Sequence, residues 1–460
     1  MKLKKHQLEA VEFLKTKEKA LLADDTGLGK TFTIISTLNE LKVNSILIVC
    51  PMSIKYQWLA NLDILFHKKK FSSQIINTAK DKLKNNVDIC IINYELIIKS
   101  EIYNQIFNKK YFDACILDEA HKLKSLESKR TKILLTYYGI ARQAKYVYGV
   151  TGTPLTDHII DFFPILYSLA RSFIKPYDNY YAFGERFCGG RKQRCFFGGK
   201  EKYIWNMKGS TNIEELQERL KNFMLRRTFS EIEKECITWK EKEADIKLFN
   251  SNKKIDLIYE EEIEAIEKKL ENTNAEISLE TLLGLKEYST IRNKIAQEKI
   301  YICFFELLKE IMKYKQVIIF TYHTTVAMKL KELLFAFNPI IINGKDNAEK
   351  KYKKIKQFKE VKDNKNKHSV LIGQIKAMGE GIDGLQYICN HGIFFELSLT
   401  PADIHQAKAR LLRMGQKSKE VSFSYYLIKN TIEEKVFNLC KHKWDKIINV
   451  LNKTKKQKGE

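Results

Sequence analysis

The sequence has 460 residues, 44% of them hydrophobic, and a net charge of +24. This hydrophobic fraction excludes a disordered chain, the length suggests about three packing units, and the positive charge favours a polyanionic partner. No apolar run reaches the ~20 residues of a membrane span, and charged residues interrupt residues 1–15, where a signal peptide would be apolar, so we expect an intracellular, cytoplasmic protein. The nine cysteines form no C-x-x-C pair, so we expect reduced thiols and no zinc.

Residues 1–165 alternate short apolar runs with amphipathic stretches. Many of the runs are apolar throughout, as expected of strands buried on both faces of a parallel sheet. The pattern predicts βαβ units in a doubly wound α/β lobe, lobe 1, whose ligands bind beyond the carboxyl ends of the strands. The candidate strands are Lys19–Ala23, Ser45–Cys50, Val87–Asn93, Ala114–Leu117 and Tyr146–Val150.

The same alternation returns in residues 306–435, which we interpret as a second α/β lobe, lobe 2. Its candidate strands are Val317–Thr321, Ile340–Ile342, Val370–Gly373, Gly392–Phe395 and Val421–Leu427. Residues 436–460 are predicted to form a C-terminal helix and a basic tail. The segments 362–367 and 452–460 have the composition of disordered chain.

Residues 166–305 are predicted to contain helical and loop insertions that connect the lobes. Helices are expected at Ile213–Arg227 and Ile255–Leu270, the second with many Glu and Lys residues at i,i+4 spacing. Between them and lobe 1, the segment from Cys188 to Gly209 is rich in Gly, Arg and aromatic residues. It is interpreted either as an ordinary long loop or as a nucleic-acid contact.

A glycine-bearing loop follows the first apolar run, where residues 24–31 read DDTGLGKT before a helix-like segment. Glycines let backbone N–H groups close around phosphate oxygens, and the helix dipole adds positive potential. Lys30 is predicted to bridge the β- and γ-phosphates of ATP, and Thr31 to ligate Mg²⁺. Because Asp24 takes the place of the first glycine of the strict pattern, the segment alone is also compatible with a surface turn.

Residues 118–121 read DEAH at the end of another apolar run. Asp118 at the tip of a buried strand can hold Mg²⁺ through its waters, and Glu119 can orient and deprotonate the attacking water. Isolated acids of this kind also occur at ordinary helix starts. Together with the GKT segment upstream, they favour a site for ATP hydrolysis.

Gln7 precedes the phosphate loop by the length of one helix and one strand. Its amide offers a donor and an acceptor and is therefore predicted to recognise adenine. The alternative is a solvated helix residue.

The motifs described above belong to a longer series of segments along the chain. In order they are LKKHQLEAVEFL, ALLADDTGLGKT, ILIVCPMSIKYQW, IINYEL, DEAH, VTGTPLTD, VIIFTYH, INGK, IKAMGEGIDG and QAKARLLRMGQ. Over about residues 3–437 the series resembles that of superfamily 2 helicase-like motors of the Swi/Snf type. The segments YAFGERFCGG, GSTNIEELQERLKNFMLRRT and FFELSLTPADIHQ resemble the HARP-type annealing-helicase branch. The resemblance implies two tandem RecA-like doubly wound lobes with helical insertions and ATP with Mg²⁺ as cofactors.

The resemblance also implies roles for individual residues. The nucleotide-binding loop would comprise Asp25, Thr26, Gly27, Leu28, Gly29, Lys30 and Thr31, with Asp25 standing where the family usually has Glu and Thr26 where it has Met. Asp383 resembles the aspartate that other superfamily 2 motors place on the ribose hydroxyl. The side chains that would couple hydrolysis to the bound strand are His121, Thr151 and Thr153.

Arginine is scarce in this chain, yet Arg410 and Arg413 lie three residues apart on one predicted helix face. A guanidinium is always charged and forks onto phosphate oxygens, so we assign the two as a finger pair that stabilises charge on the γ-phosphate. Gln406 lies on the same face and resembles the family's glutamine near that phosphate. The alternative is a pair of surface arginines on an ordinary helix.

The resemblance implies a monomeric, DNA-dependent ATPase that moves on duplex DNA without separating its strands, and the composition suits a bacterial, phage or viral protein. Candidate backbone contacts are Arg186, Arg191, Arg194, Arg226 and Arg227, for which packing at the edge of the core is the alternative. An RNA-dependent ATPase and a nucleic-acid-binding scaffold that does not hydrolyse ATP remain the alternative functions.

Overall fold

The computed structural model describes residues 3–65, 71–84, 86–108, 112–136, 139–197, 200–232, 239–271, 286–362, 368–379 and 382–451. The segment 452–460 and most of 362–367, both predicted to be disordered, lie outside this range. Contacts divide the chain into two compact units, which are described separately. The first comprises residues 1–190, 207–237 and 446–460, and the second residues 191–206 and 238–445.

The first unit is built on a seven-stranded parallel sheet with the order β3-β4-β2-β5-β6-β1-β9. Its strands are β1 Lys19–Leu22, β2 Ile46–Cys50, β3 Ser73–Ile75, β4 Ile89–Asn93, β5 Ala114–Asp118, β6 Tyr146–Val150 and β9 Met224–Leu225. The five strands predicted for lobe 1 are confirmed within two residues at each end. Strands β2, β4 and β5 are buried along their whole length, because helices cover both faces of the sheet.

Ten helices belong to the described part of this unit. They are α1 Lys5–Lys15, α2 Lys30–Glu40, α3 Lys55–Leu65, α4 Ser100–Asn108, α5 Lys129–Leu135, α6 Ile140–Gln143, α7 Phe163–Leu169, α8 Arg171–Ile174, α9 Tyr180–Cys188 and α10 Ile213–Leu220. Helix α10 ends seven residues before the predicted end, so the expected extent Ile213–Arg227 is wrong. The chain beyond it instead joins the sheet, because the free edge of β1 offers N–H groups: Leu21 donates to the Phe223 carbonyl and Ala23 to that of Leu225.

A two-stranded antiparallel hairpin occupies the segment between α9 and α10. It consists of β7 Arg191–Phe197 and β8 Lys200–Asn206, which pair in register from Arg191 with Asn206 to Phe197 with Lys200. The expectation of an ordinary long loop at 188–209 is therefore wrong. The signal was available in the sequence, since two glycines separate two runs that are rich in aromatic residues.

The second unit is built on another parallel sheet, with the order β10-β16-β15-β12-β14-β13 and with β11 also paired to β16. The strands are β10 Lys240–Glu241, β11 Asp245–Phe249, β12 Gln316–Thr321, β13 Ile340–Ile342, β14 Ser369–Gln374, β15 His391–Phe394 and β16 Glu420–Ile428. The five strands predicted for lobe 2 are confirmed within one residue. Strands β10 and β11 were not predicted.

The helices of the second part of the chain are α11 Lys253–Glu271, α12 Lys286–Tyr314, α13 Thr324–Leu333, α14 Ala348–Lys362, α15 Ile375–Gly379, α16 Pro401–Lys408 and α17 Ile432–Leu451. Helix α11 confirms the predicted helix at Ile255–Leu270. Two tandem doubly wound sheets of this kind are RecA-like lobes, so the predicted fold class is confirmed.

A buried ionic cluster joins helix α12 to the β16 side of the second sheet. The Glu310 carboxylate accepts from Ser424 Oγ at 2.8 Å and lies 2.8 Å from Lys247 Nζ and 3.3 Å from His391 Nε2. Burial alone would raise the pKa of Glu310, but the bonds from His391 and Lys247 outweigh it and lower the pKa to about 2. Because the folded-state pKa lies below the ordinary value of 4.5, the cluster stabilises the fold above pH 4.5 and loses this contribution as the pH falls towards 2.

We expect Glu310→Gln to lower the free energy of unfolding by about 2 kcal/mol at pH 7 and by much less near pH 3, where the wild-type carboxylate also begins to protonate. Urea unfolding followed by tryptophan fluorescence at both pH values measures the difference. The control is Glu349→Gln, which removes a solvent-exposed carboxylate paired with Lys353. An equal cost of Glu310→Gln at the two pH values would contradict this account.

Candidate active site

The loop between β1 and α2 has the backbone of a phosphate-binding loop. Gly27 and Gly29 have φ angles of 101° and 79°, in the left-handed region that residues with a Cβ rarely adopt. Gly29 caps the N-terminus of α2, so Lys30 and Thr31 are the first two helical residues. The free N–H groups of this helix end and its dipole are suited to bind an anion.

Lys30 folds back onto the loop that precedes it. Its Nζ donates to the carbonyl oxygens of Asp24 at 2.8 Å and Asp25 at 3.1 Å. Burial lowers the pKa of Lys30, against the attraction of carboxylates of which Glu119 is the strongest. The ammonium thus lies among acids at the carboxyl ends of the central strands, where the sequence predicted it.

Helix α1 holds the same loop from a second side. The Gln7 amide donates to the Leu28 carbonyl at 3.3 Å, and His6 Nε2 lies 3.1 Å from the same oxygen. Gln7 Oε1 accepts from the Lys4 N–H at 2.9 Å, and the side chain is 4% exposed. Gln7 is therefore not a solvated helix residue but a buried contact of the phosphate loop.

Asp118 lies at the end of β5 and is almost fully buried. Its Oδ2 accepts from the Trp58 indole N–H at 2.7 Å and its Oδ1 from the Glu119 N–H at 2.9 Å. The Tyr94 hydroxyl donates to the Asp118 carbonyl at 2.7 Å. Burial, and then the neighbouring Glu119, raise the pKa of Asp118 to about 7. The contact with Trp58 on α3 was not predicted, because nothing in its local sequence indicates a partner 60 residues away.

Glu119 connects the acidic pair to the loop after β6. Its backbone is left-handed, with a φ of 51°, which turns its carboxylate towards that loop. The Glu119 Oε2 lies 3.3 Å from His121 Nδ1 and 3.5 Å from Thr151 Oγ1, and the His121 and Thr151 atoms are 2.9 Å apart. Thr151 Oγ1 also accepts from the Thr153 N–H at 3.1 Å. The structure thus brings together the residues predicted to couple hydrolysis to movement.

The loop after β6 also contacts the phosphate loop directly. A Cβ added at Gly152 would lie 2.0 Å from Thr26 Oγ1 and 2.9 Å from its backbone nitrogen. Only glycine allows this approach, so the TGTP segment and the phosphate loop are packed against each other.

Two arginines beyond β9 bind the acids of the phosphate loop. Arg227 forks onto Asp24, with Nη2 to Oδ2 at 2.5 Å and Nε to Oδ1 at 3.1 Å, and Arg226 Nη2 lies 3.3 Å from Asp25 Oδ1. The exposed fractions of the two arginine side chains are only 14% and 6%. Their predicted contact with DNA is therefore wrong, since both guanidinium groups are used inside the first unit. The available signals were a double arginine in an arginine-poor chain and an acid at the first glycine position.

The other three candidate DNA contacts divide into two groups. Arg186 forms an ion pair with Glu215 and lies over the Tyr177 ring, so it fastens α9 to α10. Arg191 and Arg194 lie on β7 and are exposed.

In the second unit, α16 and the residues that follow it contact Gly379, Ile382 and Asp383. Arg410 is buried and donates to the carbonyl oxygens of Gly379 and Ile382. Gln406 is also buried, and a Cβ added at Gly379 would lie 3.2 Å from the Gln406 Oε1. Arg413 Nη1 donates to Asp383 Oδ1 at 2.9 Å. The structure therefore brings together the four residues predicted for this lobe, and it gives Arg410 backbone partners within the lobe. Because α16 ends at Lys408, the prediction that Arg410 and Arg413 lie on one helix face is wrong.

Models of two protein families match the chain. The model of the SNF2-related domain matches residues 6–317 and that of the helicase conserved C-terminal domain matches residues 300–415. The chain belongs to the SNF2-related family. It is a helicase-like ATPase of that family, as the order of its motifs predicted.

Curated relatives of this SNF2-family chain are longer than it is. The mouse protein DNA annealing helicase and endonuclease ZRANB3 is 25% identical over 462 residues, which cover 96% of this chain and 40% of the relative. The Caenorhabditis elegans homologue of SWI/SNF-related matrix-associated actin-dependent regulator of chromatin subfamily A-like protein 1 is 25% identical, with 96% and 60% covered. The solved Sulfolobus solfataricus SWI2/SNF2 ATPase core in complex with dsDNA is 18% identical, with a TM-score of 0.45 and with 98% and 94% covered.

Two further properties concern only the part of the chain that the structure describes. None of its helices combines the length and the apolar character needed to cross a membrane. Seven of its cysteines are free thiols and buried, namely Cys50, Cys90, Cys115, Cys188, Cys303, Cys389 and Cys440.

We expect Arg227→Ala to lower the free energy of unfolding by about 3 kcal/mol, because it leaves the buried Asp24 carboxylate without its guanidinium. Adding Asp24→Asn should recover part of this loss, giving a coupling of about 1–3 kcal/mol in a double-mutant cycle. Urea unfolding of the four proteins measures it. Arg171→Ala, which breaks the exposed pair with Asp178, is the matched control and should cost less than about 1 kcal/mol. Additive effects of Arg227→Ala and Asp24→Asn would contradict the pairing.

Proposed function

We propose that this SNF2-family chain is an ATP-dependent translocase that moves on duplex DNA without separating its strands. The observation that carries the proposal is the hydrogen-bonded network of Glu119, His121 and Thr151. It joins the carboxylate next to Asp118 to the TGTP loop, which itself packs on the phosphate loop. A change at the γ-phosphate can therefore alter the loop after β6 through contiguous contacts.

Lobe 1 would bind the nucleotide. Lys30 would leave the two loop carbonyls for the β- and γ-phosphates, while Gly27, Gly29 and the N-terminus of α2 surround them with N–H groups. The retained contact between Gln7 and Leu28 would hold the loop in place next to the adenine.

The donors near β5 fit a hard divalent cation. Asp118 is a buried carboxylate whose pKa is raised by burial and by the neighbouring Glu119, and oxygen ligands of this kind together with a threonine hydroxyl and phosphate oxygens suit Mg²⁺. We propose Asp118 and Thr31 as its protein ligands. When bound, Mg²⁺ would offset negative charge on the phosphates. Glu119 would orient the attacking water and accept its proton.

Lobe 2 would supply the arginines. Arg413 would act on the γ-phosphate and Gln406 beside it, as their motif suggests. Because Arg413 is paired with Asp383, both the phosphate contact of Arg413 and the ribose contact of Asp383 require that this pair separate. Arg410 is proposed as a positioning residue, since its guanidinium binds the carbonyls of Gly379 and Ile382.

The choice of DNA is supported by the net charge of +24 and by the relatives, three of which bear the name DNA annealing helicase and endonuclease. The chain would grip phosphates and not read bases, as a monomer that follows the backbone. No feature of the described residues favours RNA or a scaffold without turnover over this proposal.

We expect Lys30→Ala to abolish ATP hydrolysis, with a loss of at least about 100-fold, and to leave DNA binding within about threefold of the wild type. Steady-state phosphate release and fluorescence anisotropy with a labelled duplex measure the two quantities. Lys129→Ala, which removes an exposed lysine from α5, is the control. Undiminished turnover of Lys30→Ala would refute the assignment of the phosphate loop.

The nucleic acid is identified by the ATPase rate of the wild type with duplex DNA, single-stranded DNA and RNA in turn. We expect the greatest stimulation with the duplex. Stimulation by RNA alone would reject a DNA motor, and no stimulation by any of the three would reject a motor in favour of a scaffold. Displacement of a labelled strand during turnover would contradict movement without strand separation.

The coupling network is tested by Thr151→Val, in which a methyl group replaces the hydroxyl that contacts His121, Glu119 and the Thr153 N–H. We expect a basal ATPase rate within about threefold of the wild type and at least about a tenfold smaller stimulation by duplex DNA. The control is Thr156→Val, whose hydroxyl bonds to Asp161 instead. An equal loss of basal and stimulated rates would indicate a purely catalytic role for Thr151.

A further inference from the structure

The hairpin β7–β8 has one face with the composition of a nucleic-acid contact. Because side chains alternate along a strand and cross-strand partners share a face, the register places Lys192 and Trp205 together, and Arg194 and Tyr203 together, on the same side. We call these four residues the ribbon face. Lys192 Nζ lies 5.9 Å from the centre of the Trp205 ring, in agreement with this register.

The ribbon face is open to solvent. Tyr203 is 65% exposed, Lys192 and Arg194 are exposed, and Trp205 is half-buried. An aromatic ring that stays largely exposed to water forgoes burial of a large apolar area. Exposed rings next to cations are therefore expected where a ligand covers them.

The base of the hairpin is anchored. A Cβ at Gly184 of α9 would lie 2.4 Å from Met207 Sδ, directly after β8, and one at Gly190, directly before β7, would lie 2.8 Å from the Gly184 carbonyl carbon. The Thr211 N–H donates to the Phe187 carbonyl at 2.9 Å, and Thr211 Oγ1 accepts from the Gly189 N–H at 3.1 Å. The residues directly before β7 and directly after β8 are thus packed against α9.

The positive charge of the β7–β8 hairpin indicates which class of ligand the ribbon face binds. Residues 191–206 contain five lysines and arginines and one glutamate. A face that binds an apolar protein surface has few charges at its centre. Alternating cations and aromatic rings instead suit a phosphate backbone with accessible bases. Bases offer their π-faces only where they are unpaired, since in a duplex they are stacked on each other.

We propose that the ribbon face binds single-stranded nucleic acid, with Tyr203 and Trp205 stacking on bases and Lys192 and Arg194 binding phosphates. This goes beyond the duplex-tracking engine, and it rests on the proposed function only for the expectation that the protein meets nucleic acid. The duplex follows the two lobes, while unpaired nucleotides would be held by the hairpin.

The test is fluorescence anisotropy of the full chain with a labelled oligo(dT) of about 20 nucleotides and with a blunt duplex, without ATP. The double variant Tyr203→Ala/Trp205→Ala should lose about tenfold or more in affinity for oligo(dT), with little change on the duplex. Tyr203→Phe/Trp205→Phe should bind within about threefold of the wild type, because the rings remain. Lys192→Ala/Arg194→Ala should reduce the dependence of log affinity on log salt by about 1.4, as two phosphate contacts are lost.

Tyr352→Ala, which removes a 70% exposed ring from α14, is the matched control and should change neither affinity. Circular dichroism of each variant verifies the fold. Wild-type affinity of Tyr203→Ala/Trp205→Ala for oligo(dT), or an equal loss on oligo(dT) and duplex, would overturn the proposal. A wild type whose ATPase ignores duplex DNA but whose oligo(dT) binding needs the two rings would refute the translocase and support the ribbon face.

Discussion

The nucleotide-binding loop depends on two ion pairs that reach it from more than 200 residues along the chain, Arg226 with Asp25 and Arg227 with Asp24. Removing four charged groups from water is costly, and forked geometry with additional backbone partners is what offsets the cost. The pairs fix the carbonyls that receive Lys30, and the same loop also binds α1 through the Leu28 carbonyl and the TGTP segment through Thr26. Asp24 thus stands where the strict phosphate-loop pattern has its first glycine, and Arg227 binds this aspartate.

Beside that loop lies Asp118, a buried carboxylate whose surroundings disfavour its charged form. A carboxylate whose pKa is raised to about 7 destabilises its charged form in the folded chain, and the surrounding donors, Trp58 N–H and the Glu119 N–H, only partly compensate. A divalent cation beside the two carboxylates would offset their negative charge and favour the charged form of Asp118. The left-handed backbone of Glu119 stores strain at the same place.

The second lobe follows the same architecture with a different internal support. Lys299 is fully buried on α12, where its Nζ donates to the Phe395 and Tyr426 carbonyls and to Glu433, and so joins the helix layer to β15 and β16. Arg410 and Arg413, which follow α16 in the chain, have different hydrogen-bond partners. Arg410 donates only to backbone carbonyls in the bonds described above, whereas Arg413 Nη1 donates to the Asp383 carboxylate at 2.9 Å and to the Ile382 carbonyl at 3.4 Å.

The sequence by itself determined five strands of each parallel sheet and the phosphate loop. Apolar runs of four or five residues and glycines that need a left-handed backbone are local signals, so β2, β5 and β12 as well as Gly27 and Gly29 could be predicted from their own neighbourhoods. Only the tertiary structure decided which partners the site residues have. The roles of Trp58, Arg226 and Arg227 depend on which strand pairs with β1 and which helix covers β5, and such long-range pairing leaves no periodic trace in the chain. Addition of β9 to the edge of β1 converted two expected DNA contacts into supports of the nucleotide loop.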